Sequence, residues 1–154
     1  MNLQALPEEA LKEILALTEA KNRLDLQERA YDHFMPFAHH VYENFIEGAH
    51  HRVIAKKLEA VARGECKRLI INMPPRHSKS EFASYLMPAW FLGRNPKLKI
   101  IQATHNTELA VRFGRKVRDL IDDPAYKEIF PETNLKEDNK GAGKWGTDKG
   151  AEYF

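Results

Sequence analysis

The residues with the clearest chemical potential form the run Arg68-Leu-Ile-Ile-Asn72, Met73-Pro-Pro-Arg-His-Ser-Lys-Ser80, Glu81-Phe-Ala-Ser-Tyr-Leu86. A short apolar run ends in Pro-Pro, a Lys-Ser pair follows, and an apolar-periodic segment begins at once, which is the strand, loop, helix order of a phosphate-binding loop. In such a loop the backbone N–H groups and the helix N-terminus face the phosphates. Lys79 would reach the β/γ-phosphates and the Ser80 hydroxyl would bind Mg²⁺. Against the pattern Gly-x-x-x-x-Gly-Lys-Ser/Thr the match is partial, with Met73 at the first glycine position and Ser78 at the second. Glycine there supplies φ > 0, so Ser78 requires either a strained backbone or a modified loop. The alternative is an ordinary strand-to-helix turn with a surface lysine.

The wider pattern adds to the loop. Leu69-Ile-Ile-Asn-Met-Pro-Pro-Arg-His-Ser-Lys-Ser80, then Pro88-Ala-Trp-Phe-Leu-Gly93 and Phe113-Gly-Arg-Lys-Val117, resembles the ATPase region of the large terminase subunit of tailed phages. That family often carries a Pro-Pro-Arg-His version of the loop; Ser78, where the family usually has Gly or another small residue, departs from it. The resemblance implies an α/β fold with a P-loop NTPase-type parallel sheet, incomplete at the C-terminus. It divides the chain into a helical N-terminal region, residues 1–64, and the truncated front part of an ATPase domain, residues 65–154. It also implies ATP and Mg²⁺ as cofactors. Arg76 and Lys79 would act on the phosphates, Arg76 also as a sensor of the γ-phosphate, with Ser80 on the Mg²⁺. Pro75, His77 and Ser78 would line the loop. An adenine-contacting segment falls at His50 and His51, and His51 is assigned to the nucleotide; the residues themselves read more readily as a polar helical turn facing water. Implied partners are double-stranded DNA, the small terminase subunit, the portal protein and further copies of the chain, in the host cytoplasm and at the procapsid during packaging.

Composition is compatible with this. The chain has 154 residues, 43% hydrophobic and 30% charged, with a formal net charge of +2, ordinary for a globular protein with one sizeable core. The charge is uneven: residues 1–64 hold 8 Lys/Arg and 10 Asp/Glu, residues 65–154 hold 16 and 12. The basic excess therefore lies in the half that contains the loop, where it suits phosphate or DNA contact and equally a solvated helix face. Cys66 is the single cysteine, so no internal disulfide is possible, and no Cys/His spacing suggests zinc. Met1-Asn-Leu-Gln-Ala-Leu-Pro7 lacks a basic segment followed by an apolar core, and no apolar run approaches the ~20 residues that span a bilayer, so a soluble protein without a membrane partner is expected.

The elements that must position the loop can be read from spacing. Pro7-Glu-Glu9 opens a helix expected to reach about Asn22, and Asp25-x-x-Glu28 resembles a capping box for a second helical segment interrupted at Pro36. Phe37 to Ile46 reads as a short helix closed by Gly48, with Phe34, Phe37, Val41, Phe45 and Ile46 in the core. Val53, Ile54, Leu58, Val61 and Ala62 form a stripe that Gly64 terminates. His39 and His40 have no carboxylate or Cys at ligand spacing. After the loop, Phe82, Leu86, Trp90 and Phe91 mark a helix kinked near Pro88 and capped by Gly93. Lys99-Ile-Ile-Gln-Ala103 reads as a parallel strand covered on both faces. Thr107 caps a helix with Leu109, Ala110, Phe113, Val117, Leu120 and Ile121 inside, and with Arg112, Arg115, Lys116 and Arg118 off the stripe. Lys136 to Gly143 reads as a mobile loop, and Trp145–Thr147 with Glu152–Phe154 as a β-hairpin.

Hydrolysis also needs a carboxylate for Mg²⁺ and a group that positions the water. In the family these are acids at the end of an apolar strand. Leu120-Ile-Asp-Asp-Pro124 has the look of that motif, but Leu120 and Ile121 complete the helical stripe from Leu109, so Asp122 and Asp123 are read as a helix end before Pro124. The family's acidic motif, coupling motif and nuclease domain are then expected beyond Phe154. A non-catalytic interaction or decoy module derived from a terminase is the competing function, and a helicase-like ATPase a third.

Overall fold

The computed structural model describes residues 7–141 and 143–154. Residues 1–6, expected to lack a leader, and Ala142, in the stretch expected to be a loop, lie outside the described residues.

Helices come first. Helix α1 spans Glu8–Asp32 without a break, α2 Phe34–Val41 and α3 Ala49–Ala62. The expected division of α1 near Asn22 is absent; the helix runs on to Asp32 with Ala30 as its buried residue, and the chain turns at His33, which is extended at φ −123°. Pro36 then falls in the first turn of α2, where its missing N–H costs nothing, and α2 ends at Val41 rather than running to Ile46, which is exposed. Helix α3 ends as its Gly64 predicts: Gly64 adopts φ +76°, its N–H donates to the Val61 carbonyl and that of Glu65 to Ala60, the paired bonds of a left-handed C-terminal cap.

A helical stretch from Lys79 to Arg94 follows the loop, with a π-turn over Glu81–Leu86 before α4, Met87–Arg94. The Met87 N–H donates to Phe82 O, five residues back. The wider turn lies just upstream of Pro88, whose ring would crowd an α-helical carbonyl and which has no N–H to donate. Gly93 is inside α4 rather than capping it. A Cβ there would lie 2.5 Å from the Phe130 ring, so the glycine is the place where Phe130 presses on the helix backbone.

The expected P-loop-type parallel sheet is not formed. The molecule is mainly helical, 58%, with one small mixed sheet of order β1-β4-β3-β2. Strand β1 is Lys99–Ile100, β2 Leu135–Lys140, β3 Trp145–Thr147 and β4 Glu152–Tyr153, with helices α5, Thr107–Ile121, and α6, Pro124–Ile129, between β1 and β2. Only β1 and β4 run parallel; β4, β3 and β2 are antiparallel. Leu69 to Met73 carries no strand pairing. Ile70 is 84% and Ile101 81% exposed, the reverse of strands covered on both faces. The hairpin supplies its own neighbour at short range, and Leu135–Lys140 joins it as a strand where a loop was expected; the run from Leu69 finds no strand to lie against.

The sheet is tied to the helices by aromatic side chains. Trp145 and Tyr153 are cross-strand partners stacked at 4.9 Å and 7°, and the Trp145 indole donates to Gly114 O of α5 at 2.9 Å. The main core joins both halves of the chain: Phe34 meets Phe82 and Trp90 edge-on, Trp90 donates to Ala30 O and the Tyr126 hydroxyl to Ala89 O. Burial raises the Tyr126 hydroxyl well above its ordinary pKa, so it remains the donor. No described helix is long and apolar enough to cross a membrane.

Candidate phosphate-binding loop

The loop between Met73 and Lys79 is shaped by two left-handed residues. Arg76 has φ +63° and Ser78 φ +58°, conformations that cost a non-glycine residue about 1–2 kcal/mol each. Where left-handed residues alternate with right-handed ones, successive backbone N–H groups turn toward one side, a concavity that receives anions. The His77 ring approaches the Pro75 carbonyl, Nδ1 to O 2.8 Å. Ser78 O accepts the first bond of the helix, from Phe82 N at 2.9 Å. The N–H groups of Lys79, Ser80 and Glu81 therefore open the helix with no intrahelical acceptor. Arg76 and Lys79 are exposed and form no ion pair among the described residues.

Pro75, Arg76, His77, Ser78, Lys79 and Ser80 are thus brought together on one exposed turn, with charge, donors and helix N-terminus on the same segment. Glu81 would oppose an anion there, but Lys116 of α5 clamps both of its oxygens at 2.9 and 3.1 Å. The same ammonium lies 4.6 Å above the Tyr85 ring. Burial, helped by Glu81 and Asp123, pushes the Tyr85 hydroxyl up to about 12. Nothing in the sequence flagged this pair, since its members are 35 residues apart. Of the other basic residues on α5, Arg118 binds the Asp119 carboxylate, while Arg112 and Arg115 are exposed.

His51 does not take the role expected of it. It is 5% exposed, stacked on Phe82 at 4.9 Å, and its Nδ1 accepts from Gly48 N at 2.9 Å. It fastens the start of α3 rather than facing a base or water. His50 is the residue turned outward: its Nε2 is 3.0 Å from His51 Nε2 and its ring 5.6 Å from that of His77. A Cβ at Gly48 would come within 2.8 Å of the His50 ring. His50 also lines a groove of about 330 Å³ with Val53, Ile54, Lys57 and residues 69–73, so the groove reaches the start of the loop at Met73.

Comparison with protein-family models, with curated proteins and with solved structures finds no match. The terminase resemblance thus stands on the quoted motifs alone.

The acids read as a helix end do end one. Asp122 closes α5, and the Asp123 carboxylate accepts from Ala125 N at 2.8 Å as the cap of α6. Asn106, one residue before the expected Thr107, caps α5 through Leu109 N at 2.8 Å. His39 pairs with Glu47 at 2.6 Å, and His40 Nε2 lies 3.1 Å from the Glu128 carboxylate without hydrogen-bond geometry. Among the described residues no cluster of three His, Cys, Asp or Glu is placed to hold a metal.

Proposed function

We propose that this chain is the nucleotide-binding N-terminal segment of a DNA-packaging motor of the large-terminase type. The observation that carries the reading is the loop backbone: left-handed Arg76 and Ser78 lead directly into the helix that opens at Lys79 and Ser80. Phosphates sit against the N–H groups of the loop and first helical turn, with Lys79 and Arg76 as cations, Ser80 on the Mg²⁺, and Pro75 and His77 framing the entry. The base lies in the groove beside His50. Double-stranded DNA, the small terminase subunit, the portal and other copies of the chain are the partners in this reading, and the host cytoplasm its place. Lys79→Ala removes a charge-assisted contact worth roughly 1.5–3 kcal/mol, so calorimetry should show Mg-ATP binding weakened about tenfold or more. Equal affinities would overturn the proposal.

A second reading, a module that binds packaging partners without turning over ATP, is favoured by one observation: Asp122 and Asp123 both serve as helix-end groups. Lys79-dependent phosphate release separates the two.

A further inference from the structure

Away from the loop, a cavity of about 360 Å³ lies between the C-terminal ends of α1, α4 and α6 and the β3–β4 turn, and its lining includes Tyr31, Arg94, Phe130, Thr133 and Lys149. Arg94 is half-buried. Its guanidinium carbon is 4.7 Å from the centre of the Trp90 ring and 5.6 Å from that of Tyr31. Trp90 is itself fixed by its bond to Ala30 O, and Phe130 packs on Tyr31 at 5.4 Å and against Gly93. The guanidinium is therefore held in place by aromatic faces on a rigid base.

What it lacks is a counter-ion. Among the described residues no carboxylate pairs with Arg94, whereas the other cation of the cavity, Lys149, is matched by Glu132 at 3.0 Å. The C-terminal carbonyls of α4 and the two rings favour the cation, but they leave the donor edge of the planar fork without an anion. That fork matches a carboxylate or phosphate in two parallel bonds. Phe130, Tyr31, Pro96 and Pro131 give the same cavity flat apolar walls, the usual make-up of a small-molecule site, with few polar groups on an apolar lining.

We propose that this cavity binds a small aromatic oxyanion, a carboxylate or phosphate carried on a flat apolar body, with Arg94 as its charged anchor. The site shares no lining residue with the 74–81 loop.

Titration of the full chain with phenyl phosphate and, separately, benzoate, followed by amide and indole NMR shifts, tests it. The expected result is saturable shifts at Trp90 Nε1–H, Gly93, Arg94 and Thr133 with at least one probe, the two arms distinguishing phosphate from carboxylate. Arg94→Gln should weaken that binding about tenfold or more, and Arg94→Lys, which retains charge and stem, by less. Lys79→Ala should leave it unchanged, which separates this site from the phosphate loop. The proposal is overturned if neither probe saturates, if folded Arg94→Lys and Arg94→Gln both bind like the parent, if inorganic phosphate binds the cavity as tightly as the aromatic probes, or if the shifts fall on residues 74–81 and vanish in Lys79→Ala.

Discussion

Ser78 is where residue type and backbone conflict most plainly. Its φ of +58° suits glycine, and its hydroxyl makes no hydrogen bond among the described residues that would offset the strain. Ser78→Gly should therefore raise stability by about 1 kcal/mol, measured as a shift in denaturant midpoint, with nucleotide affinity retained or improved. A loss of both would mean that the hydroxyl is used. His51 makes a different prediction, about pH. Because Nδ1 accepts from Gly48, the neutral ring carries its proton on Nε2, toward His50. Burial, then the neighbouring His50, and more weakly His77, lower its pKa from the ordinary 6.5, with Glu47 pulling the other way. A histidine lowered in the folded state leaves the unfolded chain binding more protons below that value, so its contribution is intact above pH 6.5 and is lost as pH falls from there toward the folded pKa. Melting temperature should decline below pH 6.5, and His51→Gln should flatten that acid limb. An identical limb in the variant would remove His51 from the effect.

At the scale of elements, helix ends were largely legible and helix interiors less so. Gly64, Asp123 and Pro124 act through local backbone rules, so their signals survive folding. Gly93 does not act locally. A glycine near the end of an apolar-periodic run reads as a cap, yet its function here is to admit Phe130, a residue 37 positions on that no local pattern connects to it. The consequence is measurable. Gly93→Ala gains up to about 1 kcal/mol of helix propensity, but it places a Cβ 2.5 Å from ring carbon Cγ of Phe130. Overpacking of that kind costs about 1–3 kcal/mol, and the ring, wedged among Tyr31, Phe37 and Tyr126, cannot swing aside as a long flexible side chain would. The clash wins, and urea denaturation should show a net loss of about 1–2 kcal/mol, partly restored by a second change, Phe130→Leu. A stabilised single variant would show that α4 and α6 can separate freely.

For the whole molecule, the order of chemical groups along the chain was readable and the sheet was not. Loop, helix and hairpin each declare themselves within a dozen residues; a parallel sheet depends on distant partners, and the apolar run at Leu69 looks like a buried strand whether or not a neighbour exists. Its exposure at Ile70 marks that difference. The same reasoning bears on catalysis. Phosphoryl transfer to water requires a carboxylate to hold the metal and a group to orient the nucleophile, and removing such groups costs orders of magnitude in rate. In the described residues Asp122 ends α5 through its backbone N–H with its carboxylate exposed, Asp123 caps α6 through its carboxylate, and Glu81, the acid next to Ser80, is neutralised by Lys116. On the proposed reading the loop cations would bind Mg-ATP but give the attacking water no base. The 154-residue chain should therefore bind the nucleotide without turning it over, and a steady-state phosphate-release assay on the parent should match the Lys79→Ala background. Turnover that depends on Lys79 would mean that one of these acids serves the nucleotide when it is bound, with Glu81 the first to test, since it adjoins Ser80 and releasing it from Lys116 breaks only one partly exposed ion pair worth about 1 kcal/mol or less.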